Sequence, residues 1–138
     1  MTLGPNAEWV REAFERWNAG DRTPPLERFD PDVEIGTVIG DAFQGEPYRG
    51  HDGARAWLAA LDENFETWKL TPEKWHERGD LLVVLGQIHA RGRGSGIEFD
   101  QPIAWVAKFR DGKLLHMQTY FDHREALAAG GISRASPT

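Results

Sequence analysis

Asp122 is the residue whose type and surroundings best suit a catalytic acid. A carboxylate serves as a general acid or base when its environment tunes its pKa. The stretch from Asp122 to Glu125 also has the form of a helix capping box, in which the first side chain accepts hydrogen bonds from the first backbone N–H groups. We interpret Asp122 first as a helix cap and second as a catalytic candidate.

His51 is the second catalytic candidate. It stands with Asp52 at a predicted helix start, where Asp52 can cap the helix and His51 can lie at a pocket mouth. A cap beside a surface histidine is the favoured interpretation. The acidic pair Asp32 and Glu34 falls near a predicted turn and strand, and solvent exposure is favoured for it.

His89 and His116 lie on two predicted strands. They suit a pair of bases or two ligands of a metal site, which needs a third ligand. The nearest carboxylates, Glu98 and Asp100, lie across a hairpin whose register the sequence leaves open. The favoured interpretation is that these histidines have hydrogen-bond partners within the fold or lie at an interface. We therefore expect no metal and no cofactor.

The motifs of several enzyme classes are missing from the chain. It has no phosphate loop, no Gly-x-Ser-x-Gly elbow and no dinucleotide fingerprint. The run Gly92-x-Gly94-x-Gly96 leads into a strand pattern rather than the helix of a nucleotide site, so it predicts a hairpin turn. Without cysteine, a disulfide, a thiolate ligand or a thiol nucleophile is excluded.

Composition predicts one globular domain with a large aromatic core. The chain has 138 residues, of which 40% are hydrophobic and 28% charged, with six Trp and seven Phe. Its net charge of −6 argues against nucleic acid as a partner. We find no signal-peptide pattern and no apolar run long enough to cross a membrane, so we expect a cytoplasmic protein with no membrane partner.

The first half of the chain alternates helix and turn signals. Asn6 is predicted to cap a helix, and Thr23-Pro24 to open a second, short helix through Phe29. Asp30-Pro31-Asp32 then predicts a turn before a short strand from Val33 to Thr37. A Gly- and Pro-rich loop over 40–50 precedes a third helix.

The second half has the pattern of an antiparallel meander. Strands are predicted over 67–78, 81–91, 98–110 and 113–121, with Asp111-Gly112 as a strong hairpin signal. A closing helix opens at Asp122 and ends near Gly130. The expected organisation is one domain over 1–132 with a mobile tail over 133–138.

This order of elements resembles the cone-shaped fold of the SnoaL-like and nuclear-transport-factor-like superfamily. Its members include ketosteroid isomerases, limonene epoxide hydrolase and polyketide cyclases. The most specific motifs are Phe109-Arg110-Asp111-Gly112-Lys113, Tyr120-Phe121-Asp122 and Tyr48-Arg49-Gly50-His51-Asp52-Gly53. The resemblance implies an α+β fold, with a curved antiparallel sheet wrapped around helices and an internal pocket.

The catalytic residues of those relatives do not carry over to this chain. The ketosteroid isomerase positions for the proton-shuttling Asp, the oxyanion-binding Tyr and the protonated Asp align with Ile35, Ala13 and Trp105. The catalytic set of limonene epoxide hydrolase aligns with Ile88, Gly86 and Thr119. The SnoaL-like cyclases use an Asp of the Asp122 kind.

Strand alternation predicts which side chains face the pocket. On the last strand, Leu115 and Met117 belong to the more apolar face. A small hydrophobic molecule is the expected ligand, since such sites are mostly apolar with a few polar points. The predicted ligand-binding residues are Trp105, Thr119, Gln101, Thr37, Met117, Phe121 and Trp57.

The outer face of the sheet is unusually apolar in this register. Val83, Leu85 and Val106, together with His89, lie on it and predict an exposed patch. The resemblance implies a homodimer through this face. Two functions stay open: a cofactor-independent isomerase, cyclase or hydrolase acting on a hydrophobic molecule, and a non-catalytic binding or dimerisation module of the same fold.

Overall fold

A computed structural model describes residues 4–21, 25–36 and 47–131. Its helices and strands follow the predicted order closely. The helices are α1 (Pro5–Asn18), α2 (Gly50–Asn64) and α3 (His123–Ala129), and a 3-10 turn spans Leu26–Arg28. The strands are β1 (Phe29–Gly36), β2 (Tyr48–Arg49), β3 (Phe65–Arg78), β4 (Leu81–Gly92), β5 (Glu98–Arg110) and β6 (Lys113–Tyr120).

The six strands form one curved, open sheet in the order β2-β1-β6-β5-β4-β3. The last four strands make the predicted antiparallel meander, with ends within two residues of those expected. At the β5–β6 turn, Asp111 and Gly112 both have positive φ, 53° and 76°, as a tight hairpin of this hand requires. The α+β class is confirmed, with the refinement that β1 pairs with β6 in parallel.

Three local predictions in the first half are wrong. Gly4, not Asn6, is the N-cap of α1, because Pro5 already occupies the first helical position. The Asp30-Pro31-Asp32 segment belongs to β1, whose ladder with β6 is irregular there, so it is not a turn. Only a 3-10 turn precedes Phe29 in place of a second helix, and Thr23-Pro24 lies outside the described residues.

The inner face of the sheet carries the main core, and its register on β4 and β5 is the predicted one. Leu82 and Val84 on β4 are buried in it with Ile103 and Phe109 on β5. On β6 the prediction is wrong at one position. Lys108 pairs with His116 and Phe109 with Leu114, so a bulge at Leu115 puts Leu114 into the core instead.

Part of the outer face of the sheet is covered by α3. Val83, Leu85 and Val106 are buried in a second cluster with Ala126 of that helix. The packing is close, because a Cβ on Gly130 would lie 2.5 Å from a methyl group of Val83. The exposed apolar patch predicted from sequence is therefore wrong. The homodimer is therefore no longer supported by an exposed apolar patch, and it stays a prediction.

No helix in the described ranges is long and apolar enough to cross a membrane.

Candidate functional site

A cavity of about 110 Å³ lies between α1, α2 and the inner face of the sheet. It forms because the curved sheet and the two helices do not fill the space that they enclose. Its wall is mainly aromatic and aliphatic. The lining residues are Trp9, Val10, Ala13, Phe14, Arg16, Trp17, Asp21, Pro25, Phe29, Trp57, Leu58, Leu61, Trp68, Leu70, Leu82, Val84, Trp105, Ala107, Leu114 and Met117.

The end of α1 is fastened to the free edge of β3, which fixes one wall of the cavity. The Trp17 indole donates to the backbone oxygen of Trp68 at 2.7 Å. The Asn18 amide donates to the Leu70 oxygen at 2.7 Å and accepts from the Leu70 N–H at 2.9 Å. These contacts pair backbone groups of an edge strand that no other strand covers.

Two groups of aromatic rings at the cavity include a residue of α1. Phe14 on α1 lies 4.9 Å from Trp105 on β5, between ring centroids, with the planes tilted by 50°. Trp9 meets Phe29 and Phe109 edge to face at 6.0 and 6.1 Å. Such arrangements are favourable for aromatic pairs and hold the ring orientations.

Trp105 brings a hydrogen-bond donor to this apolar wall. Its side chain is buried, with 5% of its surface exposed. In the described parts of the chain, no acceptor lies within hydrogen-bond range of its indole N–H. The indole nitrogen is not fully sealed from solvent, so a molecule bound in the cavity can supply the acceptor.

Arg16 and Asp21 are the ionisable residues on the described part of the cavity wall, and both are exposed. Asp21 donates its backbone N–H to the backbone oxygen of Arg16 at 2.9 Å, which places both at the C-terminal end of α1. We did not select them from the sequence. The signal was present, because residue 16 follows residues 9 and 13 on one helical face.

Three of the predicted ligand-binding residues lie on the cavity wall: Trp105, Met117 and Trp57. Gln101, Thr119 and Phe121 do not, and Thr37 lies outside the described residues. Thr119 is buried and pairs with Trp105 across the β5–β6 ladder, so it is a core residue in this structure. Whether any of these residues binds a ligand stays a prediction.

The two catalytic candidates are engaged elsewhere. Asp122 is the N-cap of α3, and its Oδ1 accepts from the N–H groups of Arg124 at 2.7 Å and Glu125 at 3.3 Å. The capping interpretation is therefore confirmed. His51 hydrogen-bonds through Nε2 to the backbone oxygen of Phe29 at 2.8 Å. Neither residue lines the cavity.

Asp52 does not cap α2, whose N-cap is Arg49 with no side-chain cap. It instead forms an ion pair with Arg55 at 2.6 Å on the surface. The prediction of an Asp52 cap is wrong.

His89 lies beside two carboxylates on the outer face. Its Nδ1 is 2.8 Å from Asp100 and its Nε2 is 3.4 Å from Glu98. Within the described ranges, no group of three side chains is placed to hold a metal ion. His116 is exposed on β6 and does not approach His89, since β5 lies between their strands.

A polar cluster that the sequence did not indicate joins β1 to β5. The Arg110 guanidinium contacts Asp30 at 2.8 and 3.0 Å and Asp32 at 3.1 Å. The hydrogen bonds from Arg110, and then the one from the Asp32 backbone, lower the pKa of the Asp30 carboxyl. The cluster pairs residues eighty positions apart and ties the two strands together. It lies away from the cavity wall.

The fold and the site define an α+β domain with an open sheet curved around an apolar cavity. A family model for the SnoaL-like domain matches residues 10–117, and the chain belongs to that family. No curated protein matches the chain significantly.

Solved structures of the same fold cover nearly the whole chain. An NTF2-like protein of unknown function from Burkholderia pseudomallei is 24% identical, with a TM-score of 0.76, over 93% of this chain and 98% of that one. TerC, co-crystallised with polyporic acid, is 26% identical, with a TM-score of 0.73, over 92% and 98%. A putative SnoaL-like polyketide cyclase from Jannaschia sp. is 22% identical, with a TM-score of 0.74, over 100% and 99%.

Proposed function

We propose that this SnoaL-like protein binds a flat hydrophobic small molecule in the cavity between α1, α2 and the sheet. The shape and chemistry of the wall support this function. Phe14 and Trp105 pack against each other on the wall, with 4.9 Å between ring centroids, and Trp57 and Met117 add apolar area. Sites for small molecules are typically enclosed, mostly apolar and supplied with a few directed polar groups.

The observation that carries the proposal is the Trp105 indole on the cavity wall, whose N–H has no acceptor in the described parts of the chain. A carbonyl oxygen on the ligand would accept a hydrogen bond from this N–H, which contributes roughly 0.5–1.5 kcal/mol. The ligand is therefore a flat molecule that carries a ketone, quinone or similar acceptor.

The co-crystal of TerC with polyporic acid supports a small-molecule ligand, because that protein shares the fold and 26% of its residues with this chain. Polyporic acid is accordingly a first compound to test.

Binding without catalysis is the function that the described wall favours. Its ionisable groups are Arg16 and Asp21, both exposed, while Asp122 and His51 are engaged outside the cavity. Proton transfer in a dry pocket needs a positioned acid or base. The alternative is a cofactor-independent isomerase, cyclase or hydrolase. Recovery of the bound compound in altered form after incubation, measured by mass spectrometry, would favour that alternative.

The test compares 2-acetonaphthone with 2-ethylnaphthalene, which has the same ring system and a CH2 group in place of the carbonyl. Equilibrium dialysis measures binding of each to the wild type and to Trp105→Phe. The ketone should bind the wild type up to about tenfold more tightly than the hydrocarbon, because one hydrogen bond contributes roughly 1 kcal/mol.

In Trp105→Phe the ring remains and the donor is lost. The ketone should then bind no more tightly than the hydrocarbon, whose own affinity should change little. If neither naphthalene binds the wild type, the proposed function is wrong. If the wild type and Trp105→Phe prefer the ketone to the same extent, the Trp105 indole is not the hydrogen-bond donor to the ligand.

A further inference from the structure

On the described part of its wall, the cavity carries one basic residue, Arg16, which is exposed to solvent. The Arg16 side chain lines the cavity, and no carboxylate or carbonyl of the described residues pairs with its guanidinium. The other arginines of these ranges are engaged, with the exception of Arg49. Arg11 holds Glu8 and Glu15, and Arg110 holds Asp30 and Asp32.

The position of Arg16 on α1 shows at which end of the cavity its positive charge lies. It lies on the last turn of α1, and α1 is fastened there to β3 by the Trp17 and Asn18 hydrogen bonds. The apolar lining of α1 runs from Trp9 and Val10 to Ala13 and Phe14, on the turns before Arg16. A flat molecule seated against Phe14 and Trp105 would therefore have one end near the guanidinium.

On this basis, and resting on the proposed function, we propose that the ligand is an amphipathic acid. Its flat apolar body lies in the cavity, and a single anionic group, a carboxylate or an acidic enol, pairs with Arg16 at the exposed end. Guanidinium groups pair with carboxylates through two parallel hydrogen bonds, which sets orientation as well as affinity.

Asp21 limits the charge of that ligand. Its carboxylate belongs to the same end of the wall, so the two ionisable side chains on the described wall sum to no net charge. The whole chain carries −6, which repels further negative charge. A monoanion paired with the guanidinium suits this end of the cavity, and a phosphate dianion does not.

The experiment compares 2-naphthoate with 2-acetonaphthone, which has nearly the same shape and is neutral. Equilibrium dialysis at low ionic strength measures both on the wild type, Arg16→Gln and Arg16→Lys. Arg11→Gln serves as the matched control, since it removes a positive charge from the same helix away from the cavity. Thermal melting establishes that each variant is folded.

The wild type and Arg11→Gln should bind 2-naphthoate roughly tenfold more tightly than 2-acetonaphthone, because a hydrogen-bonded charge pair is stronger than a neutral contact. Arg16→Gln should lose that preference and keep its affinity for the ketone. Arg16→Lys should keep part of it. The preference in the wild type should shrink as salt is added, because the pair lies at an exposed site.

Equal affinity of the wild type for the two compounds, or a preference that survives in Arg16→Gln, would overturn the inference. In both cases binding of the ketone still supports the proposed function. Failure of the wild type to bind either compound would overturn the proposed function and this inference together.

Discussion

Asn18 at the end of α1 forms both of the hydrogen bonds that a neighbouring strand would form with Leu70. Its amide donates to the Leu70 oxygen and its carbonyl accepts from the Leu70 N–H. One side chain thus continues the sheet beyond its edge strand. The contact also holds α1, with the cavity wall that it carries, at a set distance from the sheet.

Replacing Asn18 by Ala should lower the free energy of unfolding by about 1–2 kcal/mol, because two partly buried backbone groups lose their partners. Chemical denaturation measures the change. Asn18→Asp is the matched control, because it keeps the acceptor for the Leu70 N–H and loses the donor, so its stability should lie in between. Wild-type stability in Asn18→Ala would show that water replaces both bonds at no cost.

The pairing of Asp30 with Arg110 should make stability depend on pH in the acidic range. Hydrogen bonds from Arg110 lower the pKa of Asp30 in the folded protein. A group with a lowered folded pKa stabilises the protein above its unfolded pKa, and that contribution is lost as pH falls through the folded pKa. The melting temperature of the wild type should therefore exceed that of Asp30→Asn at neutral pH.

That difference should narrow as the pH falls below the ordinary range of a carboxyl group. Asp32→Asn is the control, because Asp32 is exposed and contacts the same guanidinium at a single, longer distance. The Asp32→Asn substitution should lower the melting temperature less than Asp30→Asn does at neutral pH, and its effect should vary less with pH. A difference between the wild type and Asp30→Asn that does not vary with pH would contradict the assigned ion pair.

Removing the cap of α3 should cost stability and leave binding unchanged. Asp122→Ala should lower the free energy of unfolding by about 1 kcal/mol, and Asp122→Asn by less, because its amide oxygen can accept the same bonds. Denaturation and dialysis with 2-acetonaphthone measure the two effects. Unchanged stability together with loss of a reaction in Asp122→Asn would instead support a catalytic Asp122.

Ketosteroid isomerisation should stay at background. Trp105 and the buried Ile35 stand where the resemblance places the carboxylic acids of ketosteroid isomerases. An indole N–H can donate a hydrogen bond but cannot shuttle a proton. A standard assay with an unsaturated ketosteroid, run beside a known isomerase, checks this. Turnover proportional to the protein concentration would contradict the placement of Trp105.

The homodimer is tested by light scattering at micromolar concentration, where we expect twice the mass of the chain. Because α3 covers Val83, Leu85 and Val106, a contact through the outer face would use the polar surface beside that helix, including His89 and Asp100. If only the mass of the monomer is measured at this concentration, the predicted homodimer is wrong.

Local pattern determined much of this protein before any tertiary contact was considered. The meander from β3 to β6 follows from alternating side chains and from turn residues such as Asp111 and Gly112, whose positive φ is a local preference. The cap at Asp122 is equally local, because it needs only the three residues that follow it. The family motifs lie within these same segments, which is why the fold was predictable.

Tertiary structure alone decided which of the candidate residues meet. Asn18 pairs with Leu70, and Asp30 pairs with Arg110. The members of each pair lie more than fifty residues apart in the sequence, so local hydrophobic patterns do not reveal these contacts. The bulge at Leu115 depends on how β6 pairs with β5, and a shift of one residue moves a side chain to the other face. Arg16 reaches the cavity because the sheet curves around α1, and that curvature belongs to the assembled strands rather than to any one segment.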